Sequence, residues 1–501
     1  MCESHSSLKR GQHPIRMELL DLNLIRVPPM PACQISPLST ISAATRLEEF
    51  IRSVRADGPV PDFQAFEFAL HEVILDLERE VLQAELARLD IDAPVVFIAG
   101  VEFRRVLRSG TAYLTRAGEA RVERSLYRAR GEERTVCPLE LRAGVVESYW
   151  TPAAAMLSAW SVAHLTPQET QEFFERVGGM KPSRSSLDRL PKALSCRWEE
   201  QRPHFEDAII AAEVVPELAV AVAVSLDGVL LPMKDGKRQQ KRAASRSRGK
   251  EVRGPAGYRE ASSGTLTFYD ADGERIGLTR YLGRMPEKNK RTLKESLDAE
   301  LLAILTQRPD LVVVAVADGA KDNWTWLVNV LPAGAVQVLD FFHAAEHLKR
   351  ALDNAHGQDS PKARAEFERL RLLLRDHDLG VNKVIDALAY QHRKHPRRRI
   401  LARELRYFRN NKARMDYAAA KARRLPIGSG VVEAANKTLV SVRMKRAGSR
   451  WSIEGGQAIL TLRALAKSHR FDRAWELLGG TYKVDVGPPE TPAVTPLRLA
   501  A

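Results

Sequence analysis

Two stretches constrain this chain more than any other feature: LAVAVAVSL at 218–226 and LVVVAVA at 311–317. Each is a near-continuous apolar run without helical periodicity, the pattern of a strand buried on both faces. Strands of that kind need helices above and below them, so the neighbouring sequence has to supply crossovers. TLTFYDADGERIGLTRYL (265–282) reads as two strands about an Asp272-Gly273 turn, and KRTLKESLDAELLAIL (290–305) as an amphipathic helix. NWTWLVNVL then reads as a helix and AVQVLDFF as a third buried strand. The predicted order over 214–345 is strand, strand, strand, helix, strand, helix, strand. This is an α/β fold: a mixed sheet with helices on both faces.

A chain of 501 residues is too long for one core, and its patterning divides the rest. Residues 1–44, rich in Pro and Ser without periodicity, are expected to be a disordered leader. Residues 45–94 carry apolar positions at helical spacing, broken at Pro59 and Pro61. In 95–145, VVFIAGVEF, TAYLTRAG and ARVERSLYRAR are alternating runs punctuated by glycine, which predicts a small antiparallel β region. Residues 146–213 are helical. There LTPQETQEFFERV, GGMKP and SRSSLDRLPKAL spell helix, tight turn, helix, opened at Thr166 or Pro167 and broken at Gly178-Gly179. Ser183 is placed to cap the second helix, which turns Arg184 and Arg189 outward. The pattern fits a DNA-reading helix-turn-helix, but many plain helical hairpins look the same and simple helical packing is the favoured reading. After the sheet come a basic helical insertion (346–424), the final helices of the core (425–470) and a C-terminal tail (471–501).

Charge narrows the choice of partner. Lys and Arg exceed Asp and Glu by 14, and the isoelectric point is near 9.6. Residues 233–253 hold nine Lys/Arg against two acids, including Lys241 and Arg242. Residues 391–424 hold thirteen against two, including Arg397, Arg398 and Arg399. These two runs carry more than the whole net charge, which predicts a track for a polyanion. Neither run has the apolar face of an interfacial helix, so double-stranded DNA is favoured over membrane. No run of eighteen apolar residues occurs, and the first residues lack the pattern of a secretory signal. The four cysteines, Cys2, Cys33, Cys137 and Cys196, are too widely spaced for a disulfide framework or a zinc knuckle. A reduced cytoplasmic, nucleoid-associated protein without zinc or a small-molecule substrate is expected.

Candidate chemistry sits at the strand ends. Five Asp-Gly dipeptides occur, at 57, 227, 235, 272 and 318, but only Asp227 and Asp318 follow runs buried on both faces. A carboxylate there is expensive to ionise unless a cation compensates it, and a rigid pair suits two Mg²⁺ or Mn²⁺ ions. Asp340 also ends a buried strand and competes with Asp318; strand order favours Asp318. The third carboxylate should lie on a helix crossing those ends. Glu433 qualifies in IGSGVVEAANKTLVSVRMKR, where Val432, Ala435, Leu439 and Val442 are the expected core face. Lys437, Arg443, Lys445, Arg446 and Arg450 would stand beside a phosphate bound at Glu433. Trp324 and Trp451 suit either a core or a stack on an unpaired base. His343-Ala-Ala-Glu346-His347 spells an inverted zincin motif, but a peptidase would leave both basic runs unexplained.

In order, SLDG, VADGAKDNWTWL, VLDFFHAAEHL and PIGSGVVEAANKTLVSVRMKRAGSRWS resemble the DDE transposases of bacterial insertion sequences, most closely the ISKra type, relatives of the Mutator-like group. The resemblance runs from about residue 95 to 470. It implies an RNase H-like catalytic domain, a triad of Asp227, Asp318 and Glu433 that ligates the metal ions, and a helical insertion before the glutamate. It matches Asp340 and His343 to the family's D-x-x-H signature, as a supporting pair or a contact to the DNA strand. Relatives carry paired cysteines resembling a zinc ribbon in the amino-terminal β region, where this chain keeps only Cys137. The implied activity is strand cleavage and transfer at element ends, by a homo-oligomer on DNA. The alternatives are a transposase-derived regulator that binds without cutting, and a structure-selective nuclease of the same fold.

Overall fold

The structure, a computed structural model, describes residues 41–56, 62–234, 236–249 and 257–487. Most of the expected leader, Asp57, Pro59, Pro61, Asp235 and the last fourteen positions of the expected tail lie outside the described residues.

The chain opens with helices α1 (Ile41–Ala56) and α2 (Phe63–Arg88), followed by strands β1 (Val95–Ile98), β2 (Val101–Thr115) and β3 (Gly118–Ala129). Ala99 and Gly100 both have positive φ, the two-residue turn that matches strand twist. The short runs expected here are longer in fact. VEF and TAYLT belong to one strand, whose register shifts between Arg105 and Leu107. After α3 (Pro138–Ala143) the helical region comprises α4 (Pro152–His164), α5 (Pro167–Val177), α6 (Arg184–Glu200) and α7 (Arg202–Ala211). Thr166 and Glu169 form a reciprocal capping box at the start of α5, Gly178 ends it, and the Ser183 hydroxyl caps α6.

Two later elements finish the larger sheet's frame at the front: β4 (Ala221–Pro232) and, across the basic helix α8 (Gly236–Ser247), β5 (Tyr258–Tyr269). Next come β6 (Arg275–Arg284), α9 (Arg291–Gln307), β7 (Val312–Ala317), α10 (Lys321–Val330) and β8 (Val336–Leu339). The sheet order is β6-β5-β4-β7-β8, with the first three strands antiparallel and β4, β7 and β8 parallel. This is the mixed α/β sheet that the two apolar runs demanded. One expectation is corrected: Asp227 does not end its strand. β4 continues to Pro232 because β5 pairs with it throughout, and only the parallel pairing to β7 stops, at Ser225.

Helices cover both faces. A methyl group at Gly264 would meet Leu297 of α9, whereas one at Gly283 would meet Leu439 and Leu460 on the opposite side. In sequence, five insertion helices separate β8 from the helix that carries Leu439: α11 (Phe341–His356), α12 (Pro361–Asp376), α13 (Gly380–Lys394), α14 (Arg399–Asn411) and α15 (Tyr417–Ala422). Their Leu352, Leu374, Leu388, Phe408 and Tyr417 share one core with Val224, Val314 and Val316 of the sheet. The insertion is therefore packed against the sheet.

The closing helix is interrupted. α16 (Gly430–Ala435) passes through a π-helical turn over Asn436–Ser441 into α17 (Val442–Met444). The extra residue in that turn rotates everything after it. Val432, Ala435 and Leu439 are buried as expected, but Val442 is 54% exposed, and Val440, Arg443 and Met444 take the inner positions. α18 (Ile453–Lys467) then packs on β6 and α6. The expected tail is structured up to residue 487: α19 (Phe471–Gly480) packs on α4 and α6, and β9 (Val486–Gly487) pairs with β1.

Candidate active site

Strand register builds the site. β4 and β7 pair up to Ser225↔Val316, and β7 and β8 up to Ala317↔Leu339. Carried two residues further, the first register sets Asp227 beside Asp318. Carried one further, the second sets Asp318 beside Asp340, whose N–H donates to the Ala317 carbonyl at 2.9 Å. Neighbouring strands are about 4.8 Å apart and residues in such a row share a face. On the other side of β4, Asp227 pairs with Ser263 and Ser263 with Gly283. Gly283 faces Leu439, so the three aspartates point to the side crossed by the closing helix.

That helix brings Glu433 and Asn436 to the row. The Asn436 amide donates to Asp227 Oδ2 at 2.7 Å, and the Gly228 N–H donates to Oδ1 at 2.6 Å. Asp318 Oδ1 accepts from the Ala320 N–H at 3.1 Å and the Asn323 amide at 3.3 Å, while the Trp324 indole donates to the Asp318 carbonyl. Burial pushes the Asp227 carboxyl above its ordinary value, and the Asp318 carboxylate adds to the shift. Burial also raises Glu433, with Asp340 and Asp227 contributing. These are carboxylates that repel one another at the edge of a core. Among the described residues, no Lys or Arg forms an ion pair with Asp227, Asp318 or Glu433.

Asp340 is placed differently. It is fully buried and caps α11, accepting the His343 N–H at 2.7 Å on one oxygen and the Ser429 N–H on the other. Burial alone would raise its carboxyl; the His343 and Ser429 bonds outweigh that and hold it below the usual range. His343 Nδ1 lies 3.3 Å from Asp340 Oδ1 and 4.0 Å from Glu433 Oε1. The Asp340 carboxylate, supported by Asp318 and Asp227, holds the His343 imidazole up at about 9. Ligand atoms of Asp340, His343 and Glu433 lie within 4.8 Å of one another, close enough to share a metal ion. Yet Asp340 already binds two backbone donors, and a protonated imidazole has no lone pair to offer. That trio is an ion pair in this state. The all-oxygen set of Asp227, Asp318 and Glu433 has the donor chemistry of a hard divalent cation, and His343 beside Glu433 offsets only part of its charge, so the set fits one.

The basic residues separate into two groups. Arg184, Arg189, Lys241, Arg397, Arg399, Lys437, Lys445 and Arg450 are exposed, and Arg242 is half-buried. Arg398 is half-buried and donates to the Asn354 carbonyl. Arg443 is 3% exposed and its Nε donates to the carbonyls of Val162 and Leu165, so it ties the closing helix to α4. Arg446 is paired with Glu169 of the capping box at 2.6 Å. Trp451 donates its indole N–H to the Met444 carbonyl, and Trp324 is buried; both are packing residues here. His347 lies on α11 away from the acids, against Glu404 and Tyr407. Cys137 is buried beside Tyr113 and Leu139.

Sequence reasoning passed over Asn436, Ser429 and Tyr407. Asn436 had a usable signal: three residues after Glu433 on a helix, it shares that residue's face. Ser429 acts through its backbone, which no side-chain pattern reports.

No family model matches the chain, and no curated protein matches it. Among solved structures, the "Drosophila P element transposase strand transfer complex" aligns at 10% identity over 66% of this chain and 95% of that one, with a TM-score of 0.33. A likeness at that level bears on neither family nor function.

Proposed function

We propose that this chain is a DDE transposase of an insertion sequence, cutting DNA strands at element ends and joining the freed 3′-OH to target DNA. The observation that carries the reading is the row of Asp227 and Asp318 on adjacent parallel strands, with Glu433 on the helix crossing that face. The ordered motifs of the ISKra-type resemblance run through the same residues. Asp227, Asp318 and Glu433 would hold two divalent cations, Mg²⁺ or Mn²⁺, which when bound supply charge stabilisation at phosphorus and an activated oxygen nucleophile.

The chain's own residues prepare that chemistry. Asn436 fixes the Asp227 carboxylate, and the Ala320 N–H with the Asn323 amide fixes Asp318. Asp340 anchors the start of α11 to the segment entering α16 through Ser429, which keeps Glu433 over the strand ends. His343 keeps positive charge beside Asp340 and Glu433. Lys437, one turn beyond Glu433 and exposed, is positioned for a phosphate oxygen of the DNA. Arg184, Arg189, Lys241, Arg397, Arg399, Lys445 and Arg450 supply further backbone contacts to double-stranded DNA, and the active form is a homo-oligomer.

The test is an assay with a labelled element end, target DNA and Mg²⁺ or Mn²⁺. Cleavage and joined product are expected, both abolished in Asp227→Asn and Asp318→Asn with DNA binding retained. Binding without cleavage by the wild-type chain would indicate a regulator, and cleavage without joining a nuclease.

A further inference from the structure

Tyr407 reaches the acidic site from the basic insertion. It stands on α14 with its ring stacked on His347, centroids 3.6 Å apart and planes at 12°. His347 in turn pairs through Nδ1 with Glu404, which is fully buried one turn before Tyr407 on the same helix and is also held by Arg350 and Arg403. The ring is therefore fixed from behind. Its front edge lies over the residue after Asp318: a Cβ at Gly319 would stand 2.5 Å from Tyr407 Cε2 and 2.9 Å from its hydroxyl. The glycine of this Asp-Gly pair is thus required as a seat for Tyr407; its φ is not in the left-handed region.

The hydroxyl is buried and makes no hydrogen bond. Buried tyrosine hydroxyls normally find a partner, and one that does not is either a fault in packing or a donor awaiting an acceptor. Its surroundings favour the second. Burial, then the carboxylates of Asp318 and Asp340, push the phenol far above its ordinary value, so it keeps its proton. Asp318 uses Oδ1 for both of its local hydrogen bonds; among the described residues Oδ2 accepts none. A fixed neutral donor thus faces the neighbourhood of a carboxylate with a free oxygen.

We propose that Tyr407 is a positioning residue for a divalent cation at Asp318, its hydroxyl donating to a water carried by that cation. The inference rests on the reading of Asp227, Asp318 and Glu433 as a cation-holding set. It makes the cation's hold depend on the insertion being seated, because α14 supplies the donor. Groups that orient metal ligands from outside the ligand set change metal affinity by about 10–100-fold when removed.

Mn²⁺ binding to the full chain, followed by the electron spin resonance of free Mn²⁺, tests this without reference to catalysis. Tyr407→Phe should weaken binding by about 10-fold, with a melting temperature unchanged or higher, since it deletes only an unsatisfied hydroxyl. Gly319→Ala, which displaces the ring, should weaken binding similarly, and add little in the Tyr407→Phe background. Unchanged Mn²⁺ affinity in Tyr407→Phe, or in Gly319→Ala should the first variant not fold, overturns the proposal. Asp318→Asn separates the two levels. If it too binds Mn²⁺ like the wild type, the cation-site reading itself is wrong. If it loses Mn²⁺ while Tyr407→Phe does not, only the role of Tyr407 fails.

Discussion

Asp340 and Asp318 are neighbours in one row of the sheet, yet their hydrogen bonds give them different work. Asp340 is fully buried with one backbone N–H on each oxygen, so Asp340→Asn should cost about 2–3 kcal/mol, the worth of hydrogen bonds to a charged group. The pH dependence follows from two shifts. The Asp340 carboxyl is held below its unfolded value, so its contribution is complete above about pH 4 and lost as pH falls through the folded pKa. His343 is raised to about 9, so its contribution is complete below its unfolded pKa of about 6.5 and lost as pH rises through about 9. Thermal melting from acid to alkaline pH should show the wild-type advantage over Asp340→Asn widest between those limits and shrinking on both sides; a constant difference across pH would contradict the assignment. Cys137 gives a second test. Burial pushes its thiol up to about 11, so mapped alkylation near pH 8 should leave Cys137 unmodified while exposed Cys196 reacts. Asp227 and Asp318 were legible in the sequence because their signal is local, an apolar run followed by Asp-Gly. Tyr407 and Ser429 were not, because what matters for them is a contact or a backbone donor delivered from distant sequence.

Elements whose signal is local were read correctly: the apolar run of β7, the amphipathic spacing of α9 and the Asp272-Gly273 turn between β5 and β6 stand where the sequence put them. β4 was read too short. Asp227-Gly228 looked like punctuation, but the pairing with β5, reached only across α8, carries the strand through it to Pro232. The closing helix was read in the wrong phase after its first turns. Regular 3.6-residue spacing places Val442 inside, whereas the π-turn over Asn436–Ser441 turns Val440 inside and Val442 out. The same turn begins three residues after Glu433, at Asn436, so the irregularity sits at the site. Two substitutions read the phase. Val442→Asp should change stability by no more than about 0.5 kcal/mol, as at an ordinary surface position. Val440→Asp, which buries an unpaired carboxylate, should cost more than about 3 kcal/mol. Equal tolerance in urea unfolding would restore the regular helix and remove the π-turn from the account.

Across the molecule, the two basic runs enter at separate points of the chain: α8 lies between β4 and β5, and 391–424 closes the insertion. No helix among the described residues is long and apolar enough to cross a membrane, and the insertion shares its core with the sheet, so its surface charges are held in fixed positions. If residues 391–424 track a DNA backbone, each phosphate they neutralise releases counterions, and log K against log salt steepens by about 0.9 per contact on duplex DNA. Among Arg397, Arg398 and Arg399, the middle one is already committed to the Asn354 carbonyl, while its neighbours are exposed. Replacing Arg397 and Arg399 by Ala should therefore flatten the slope by up to about 1.8. Adding Arg398→Ala should flatten it little further but lower the melting temperature, because that side chain joins α14 to the end of α11. Affinity should fall about equally for every duplex sequence, since phosphates carry no sequence information. Fluorescence anisotropy on one duplex across a salt series measures the slope, and a second duplex of unrelated sequence checks its generality. An unaltered slope in the folded double variant would remove this segment from the DNA-binding surface, and a loss confined to one sequence would make these arginines readers of bases instead.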